Sequence, residues 1–165
     1  TTCRPGFCRS STPITDLRPT QMTVGMREVN QKRDHLRKHV AKKIGKYLGA
    51  HMIPVVLGPK QRPYIIDHHH LALALHKEGL EHVLVSVVAN LSALEPDAFW
   101  IVLDHHAWVH PYDANGRRRP VADIPKSIAG LADVRRADNP VASLLVTCWT
   151  FGGVRPVILT GVKKP

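Results

Sequence analysis

The run from Val83 to Val88 constrains the fold more than any other segment, because Ser86 alone interrupts its apolar residues. A continuous apolar, β-branched run predicts a strand buried on both faces or nearly so, since a half-exposed strand alternates apolar and polar residues. After it, Pro96 at a first helical position opens a helix predicted to reach about His106. This alternation of strands and helices favours an α+β class: one compact domain with a small mixed sheet and flanking helices.

The segments before this strand have clear boundaries. From Val29 onward, apolar residues recur at helical spacing with basic residues between them, which predicts a long amphipathic helix. Ile53 to Leu57 and Tyr64 to Ile66 are strand-like and flank a Gly-Pro pair, which predicts a hairpin. Asp67 is a favourable helix N-cap and Gly79 a favourable stop, so a short helix is predicted between them.

The remaining boundaries define one domain and two flanking segments. Residues 1–13 are rich in Ser, Thr, Pro and Cys and are predicted to be irregular. Ile14 to Leu17 is predicted to be a short first strand. We therefore predict a domain over residues 14–131 and a C-terminal extension over residues 132–165, in which the sequence pattern orders no elements.

Positive charge predominates in the chain: Lys and Arg total 23 against 13 Asp and Glu, which gives a formal net charge of +10 with His neutral. Nucleic acid is therefore a predicted partner class, although solvation alone also explains a charged helix face. The predicted nucleic-acid contacts are basic side chains of the long helix and of a later turn-rich loop, namely Lys38, Lys42, Lys43, Arg117, Arg118 and Arg119.

Several classes of protein are disfavoured. No run of about 18 consecutive apolar residues occurs, so no membrane-spanning segment is predicted. The P-loop, the serine-hydrolase elbow and the dinucleotide fingerprint are all absent, which disfavours common-type ATPases, esterases and Rossmann dehydrogenases. Cys3, Cys8 and Cys148 show no zinc-finger spacing and leave the compartment open, with the bacterial cytoplasm slightly favoured over the periplasm.

Asp67, His68, His69 and His70 stand at the predicted strand-to-helix junction. The first N–H groups of a helix lack intrahelical partners and favour an anion, and imidazoles add donors, so the junction predicts a phosphate-binding turn. In the catalytic form of this hypothesis Asp67 fixes the turn, His69 and His70 bind and protonate phosphate oxygens, and His68 is a further phosphate ligand. The alternative is a capping aspartate followed by surface histidines.

Two further groups are candidates for chemistry. Glu28, just before the long amphipathic stretch, is either a general base or a first-turn acid favoured by the helix dipole. His106 and His110 stand at i and i+4 and, with Asp104, are candidate ligands for a divalent metal ion if the helix continues through them. Otherwise they are polar residues at its exposed end. Joint use of the two histidine clusters would give a metal-dependent phosphoester hydrolase.

Three segments occur in a specific order: Leu17-Arg18-Pro19-Thr20-Gln21, then Pro54-Val55-Val56 through Tyr64 to His70, then Val87-Val88-Ala89-Asn90-Leu91-Ser92. This order resembles the ParB and sulfiredoxin superfamily, and specifically its ParB-like nuclease group, over about residues 14–130. In that superfamily the helix after the hairpin holds nucleotide phosphates in its first turn. The pattern there is Gly-Glu-Arg-Arg in ParB and Gly-Cys-His-Arg in sulfiredoxin.

The resemblance implies a ParB/sulfiredoxin-like domain whose phosphate turn is Asp67 to His70, where histidine has replaced the arginine of the pattern. The cysteine of the sulfiredoxin pattern is absent, so sulfinic acid reduction is not expected. In the free-serine kinases of the superfamily, an acidic residue before the first long helix and an Asp-Gly-His pattern serve phosphoryl transfer. Glu28 and Asp67 lie in similar order here.

The combined expectation is an enzyme: a nuclease-like phosphoester hydrolase that acts on a phosphate-containing ligand. A non-catalytic nucleic-acid or nucleotide binding module is the alternative. A small-molecule phosphotransferase similar to the free-serine kinases is the third hypothesis. A divalent metal ion is the cofactor for which the sequence offers candidate ligands.

Overall fold

The computed structural model describes residues 9–133, and of residues 9, 39–48 and 50 it describes the backbone alone. Residues 1–8 and 134–165, which include all three cysteines and most of the predicted C-terminal extension, lie outside the described residues. No helix within the described range is both long and apolar enough to cross a membrane. The elements are β1 (Arg9–Pro13), β2 (Arg18–Pro19), β3 (Thr23–Val24), α1 (Met26–Ala50), β4 (Ile53–Gly58), β5 (Arg62–Ile65), α2 (His69–Lys77), β6 (His82–Asn90), α3 (Pro96–His105) and β7 (Ala132–Asp133).

A five-stranded mixed sheet organises the fold, with the strand order β1-β6-β4-β5-β2. β6 and β4 run parallel at its centre, whereas β1 pairs antiparallel with β6 and β5 pairs antiparallel with β4. β2 lies at the far edge, parallel to β5. The predicted hairpin of β4 and β5 is confirmed, and so is the α+β class.

Hydrophobic cores lie on both faces of this sheet. Val55 and Val56 are adjacent in β4 and both fully buried, yet they belong to different clusters, because successive strand residues point to opposite faces. The larger cluster contains Val55 together with Leu36 of α1 and Leu75 of α2. The smaller cluster contains Val56 and Phe99 of α3. The sheet therefore separates α1 and α2 from α3.

Two sets of contacts fix α1. β3, which precedes α1, pairs in parallel with β7, and the Met26 N–H donates to the Asp133 carboxylate at 3.1 Å. A carboxylate there satisfies a first-turn N–H group and complements the helix dipole. Further along, Arg33 and Arg37 both donate to the Glu78 carboxylate after α2, at 2.6 and 2.8 Å. These contacts hold α1 against α2 and against the last described strand.

The strand predictions near the N terminus are wrong in two places. Ile14–Asp16 is a 3-10 turn rather than a strand, and β1 occupies Arg9–Pro13, where an irregular segment was predicted. Residues 9–13 form a strand because they pair with the edge of β6. Backbone pairing of this kind does not require alternating apolar residues in the added strand. Ile14 and Leu17 are nevertheless buried, so their apolar character reflects the core and not a strand.

β6 is the predicted strong strand, but its burial differs from the prediction. Val83 and Val85 are 1% and 2% exposed, whereas Val88 is 40% exposed. β1 pairs with His82 through Ser86 only, so the end of β6 has no neighbour on that side within the described residues. The prediction of burial on both faces therefore fails for the second half of the strand.

Gly79 ends α2, as the sequence predicts. It has a φ of +78°, in the left-handed region. Its N–H donates to the His76 carbonyl at 3.0 Å, and the N–H of Leu80 donates to the Leu75 carbonyl at 3.1 Å. These are the two bonds of a Schellman motif, which closes a helix with a residue in the left-handed conformation.

Substituting alanine at two glycines should have opposite effects on stability. Gly79→Ala is expected to lower the free energy of unfolding by about 1 kcal/mol, because a Cβ is disfavoured at positive φ even where no atom lies within 4 Å of it. Gly49→Ala, which also meets nothing within 4 Å and lies in helix α1, should raise it by about 0.5–1 kcal/mol. Urea unfolding of both variants measures the difference, and a stabilising Gly79→Ala would contradict the helix ending.

Candidate functional site

The turn between β5 and α2 is built by Asp67 and His68. The N–H of His68 donates to Asp67 Oδ1 at 2.6 Å, and His68 adopts the left-handed conformation with a φ of 65°. His68 is therefore the N-cap of α2, and the prediction of Asp67 as N-cap is wrong. Asp67 instead stabilises the turn before the helix. A non-glycine residue in this conformation costs roughly 1–2 kcal/mol, which neighbouring contacts must offset.

One such contact involves the ring of His68, whose Nδ1 lies 3.2 Å from the carbonyl of Met52. A carbonyl only accepts, so Nδ1 carries the hydrogen in this contact. The ring itself is exposed. Nε2 is therefore the ring atom that remains for a ligand.

The start of α2 is suited to bind an anion. The His68 side chain makes no capping hydrogen bond to the first turn, and the first turn contains no acidic residue. Helix N-terminal N–H groups carry partial positive charge and bind anions readily. The structure thus agrees with the predicted position of the turn at a helix start.

His69 is buried, with 3% of its surface exposed. Its Nε2 accepts a hydrogen bond from the Thr20 N–H at 3.1 Å, and the Thr20 hydroxyl donates to the Ile65 carbonyl at 2.7 Å. Burial, reinforced by the neighbouring histidines, lowers the pKa of His69 to about 3. His69 is therefore neutral near pH 7, which argues against the role of acid predicted for it and assigns it to packing.

The His70 side chain, from the first turn of α2, lies near Glu28 in the first turn of α1. The Gly25 N–H donates to His70 Nε2 at 3.3 Å, and a Cβ at Gly25 would overlap the Glu28 carboxylate. Burial lowers the pKa of His70, and the Lys32 ammonium lowers it too, while the carboxylates of Glu28 and Asp67 oppose the shift. The structure therefore brings Glu28 and Asp67 each within electrostatic reach of His70.

His110 connects the second histidine cluster to this turn. α3 opens at Pro96 as predicted but ends at His105, and Ala107 has a φ of 55°, so His106 and His110 are not one turn apart on a helix. The His110 N–H donates to the Thr20 carbonyl at 2.8 Å. The charge of His110 lowers the pKa of buried His69, so the two imidazoles are within electrostatic reach of each other.

The predicted metal ligands do not assemble. His106 stacks on Trp108 with the ring centroids 4.6 Å apart, and Asp104 forms an ion pair with Arg118 at 2.8 Å. Burial lowers the pKa of His110, and the carboxylates of Asp67 and Asp104 raise it. Across residues 9–133, leaving out the undescribed side chains, no group of three or more potential ligands is arranged to hold a metal ion. The helical i, i+4 premise of the prediction is wrong because the helix ends first.

Comparison with known proteins places this fold in a family. Residues 10–157 match the model of the family described as "Putative ParB-like nuclease". The chain belongs to the ParB-like nuclease family. The crystal structure of protein Atu1540 from Agrobacterium tumefaciens is similar, with a TM-score of 0.72 and 45% sequence identity, over 92% of this chain and 74% of that one. A search of curated proteins gives no match.

The basic residues of this ParB-like nuclease domain have different environments. Lys38 and Arg117 are exposed. Arg118 pairs with Asp104, and Arg119 pairs with Asp123 at 3.2 Å, so two of the predicted nucleic-acid contacts take part in ion pairs. The side chains of Lys42 and Lys43 lie outside the described residues.

Sequence reasoning missed three residues of the candidate site: Thr20, Gly25 and Lys32. Thr20 is fully buried and bonds to three segments of the chain. Gly25 donates its N–H to His70, and Lys32 lies within electrostatic reach of the same ring. Thr20 does occur in the segment that carries the family resemblance, but Gly25 and Lys32 have no motif that marks them.

The stability of the protein should depend on pH through His69. Its pKa is about 3 in the folded chain against 6.5 in the unfolded chain, so between these values the unfolded chain binds more protons. The free energy of unfolding should therefore fall as the pH drops from 6.5, by up to roughly 1.4 kcal/mol per pH unit from this residue. His69→Gln should show a smaller slope in urea unfolding at a series of pH values. Equal slopes in the two proteins would contradict a buried neutral His69.

The Thr20 hydroxyl should contribute to stability as well. Thr20→Val keeps the shape but removes the donor to Ile65, and is expected to lower the free energy of unfolding by about 1–3 kcal/mol. Thr23→Val is the matched control, because its hydroxyl makes an exposed 3.3 Å bond and its loss should matter by less than about 0.5 kcal/mol. Chemical denaturation compares the two, and similar effects would indicate that the buried bond contributes little.

Proposed function

We propose that this domain binds a phosphate-containing ligand at the turn from Asp67 to His70 and hydrolyses a phosphoester there. The observation that carries the proposal is the convergence of Glu28 and His70 beside a helix start that lacks a side-chain cap. An anion site can hold the phosphate group, and a carboxylate base can accept the proton of a water that attacks phosphorus. Membership of the ParB-like nuclease family supports the same reaction class.

Each residue has a distinct role in this proposal. Glu28 acts as general base and accepts a proton from the attacking water. His70 accepts from Gly25 at Nε2, so its hydrogen is on Nδ1, where it donates to a phosphate oxygen. Asp67 holds the turn through the N–H of His68. The N–H groups of the first turn of α2 bind the remaining phosphate oxygens.

In this proposal the general acid is His68 and not the buried His69. His68 is exposed, and its contact with Met52 uses Nδ1, so Nε2 is the ring atom assigned to the ligand. When protonated, Nε2 donates to the oxygen of the leaving group as the phosphorus–oxygen bond breaks. The water proton goes to Glu28 and the leaving-group proton comes from His68, so protons balance in the reaction.

A non-catalytic binding module for nucleic acid is the second candidate function. The net charge of +10 and the exposed Lys38 and Arg117 favour it. Binding of this kind depends on phosphate neutralisation and weakens steeply with salt. It needs neither Glu28 nor His70 as reacting groups, and this difference separates the two candidates.

Turnover of bis(p-nitrophenyl) phosphate, with and without added divalent metal ions, tests the enzyme proposal. Glu28→Gln should lower kcat by about 100-fold or more, because the amide cannot accept the water proton. Glu81→Gln is the matched control, because this substitution removes the same charge from an exposed position after α2. Unfolding curves of the variants verify that the fold is intact.

The outcomes separate the candidate functions. If wild-type protein turns over no phosphoester in any metal, but binds DNA with an affinity that falls with salt and on Lys38→Ala, the binding module is supported instead. Equal rates for Glu28→Gln and the wild type would rule out Glu28 as base. Transfer of phosphate to a small hydroxyl compound rather than to water would favour a phosphotransferase.

A further inference from the structure

Lys32 lies on the side of α1 that faces the candidate site. Glu28 and Lys32 are four residues apart in α1, so their side chains share one face of the helix. Asn30 and Gln31 between them are exposed, whereas Lys32 is half-buried. The sequence pattern assigns Lys32 to a basic outer face of the helix. The structure instead places it against the protein, next to the carboxylate proposed as base.

A chain of contacts joins this face of α1 to the start of α2. The Glu28 carboxylate lies where a Cβ of Gly25 would be, and the Gly25 N–H donates to His70 Nε2 at 3.3 Å. Lys32 is within electrostatic reach of the same imidazole. Its flexible stem allows the ammonium to reach past the half-buried methylenes toward an anion.

The candidate site requires a permanent positive charge. Glu28 and Asp67 contribute carboxylates to it, and the two imidazoles of His69 and His70 are held toward their neutral form. A phosphate group is doubly or singly negative, and charge-assisted hydrogen bonds are roughly twice as strong as neutral ones. The helix start alone supplies about half a charge.

Several neighbouring cations are already engaged elsewhere. Arg33 and Arg37 of α1 both bind the Glu78 carboxylate, and Arg118 binds Asp104. Lys32 differs from them in its position, because it lies beside His70 on the face that carries Glu28. Among the α1 cations whose side chains the structure describes, Lys32 is thus placed to match the phosphate turn.

We propose that Lys32 binds an anionic oxygen of the phosphate group that occupies the turn before α2. This inference rests on the proposed function. It specifies the ligand as one with an ionised phosphate oxygen on the α1 side of the turn. Glu28 and Lys32 then act on opposite parts of the reacting group, one on the water and one on the phosphate.

NMR titration with inorganic phosphate tests the assignment, with the histidine ring signals as reporters. Lys32→Met should weaken phosphate binding by about tenfold or more, because a charge-assisted contact is lost. Lys32→Arg should retain most of the affinity. Lys77→Met is the matched control: it removes the same charge from an exposed position at the far end of α2 and should bind as the wild type does.

A second readout needs no ligand. Removing the Lys32 ammonium should raise the pKa of His70 in ligand-free protein, whereas Lys77→Met should leave the titration of that ring unchanged. A titration of His70 unaffected by Lys32→Met would overturn the placement of Lys32. Wild-type affinity for phosphate in Lys32→Met would overturn its binding role alone. If the wild type binds no phosphate, the proposed function fails together with this role, while the ligand-free titration still decides the placement.

Discussion

The hydrogen bonds around Thr20 are the constraint on which the candidate site depends. The Thr20 N–H, hydroxyl and carbonyl bond to His69, Ile65 and His110, respectively, so one buried residue joins the loop after β2, the end of β5, the start of α2 and the segment after α3. Buried polar groups are costly when unpaired, so these partners must be placed together. The geometry of the turn before α2 follows from this packing.

Burial gives the candidate site a charge different from that of the chain as a whole. The chain carries +10, yet burial holds His69 and His70 toward the neutral form, and Arg118 is paired with Asp104. The buried His69 is therefore a neutral acceptor, and burial shifts the pKa of His70 in the same direction. The start of α2 and the Lys32 side chain of α1 contribute positive potential near these two rings.

Local sequence signals predict much of the fold. Gly79 ends α2 and Pro96 opens α3 because the backbone preferences of these residues act at their own positions. Strand β1 was missed because its pairing depends on the distant edge of β6, and no short-range pattern encodes it. Prediction is thus strong where the cause lies within a few residues and weak where pairing partners are distant in sequence.

In the candidate site, too, local features could be predicted from the sequence and long-range contacts could not. Glu28 and the turn from Asp67 to His70 were identified, because helix starts and family resemblance mark them. The burial of His69 could not be foreseen, since its partner Thr20 is 49 positions away. His110 was identified as a metal candidate, but its actual place beside His69 depends on the end of α3 and on the Thr20 carbonyl.

The bond from the Met26 N–H to Asp133 has a consequence for the order of assembly during protein synthesis. Asp133 follows Met26 by 107 positions, so a ribosome must add nearly all of the described chain before the first turn of α1 is completed. Long-range contacts of this kind form late, because loop closure precedes them. Glu28 lies in that first turn. The nascent chain therefore contains the residues of its five-stranded sheet and of its histidine turn before it contains the carboxylate that bonds to the start of α1.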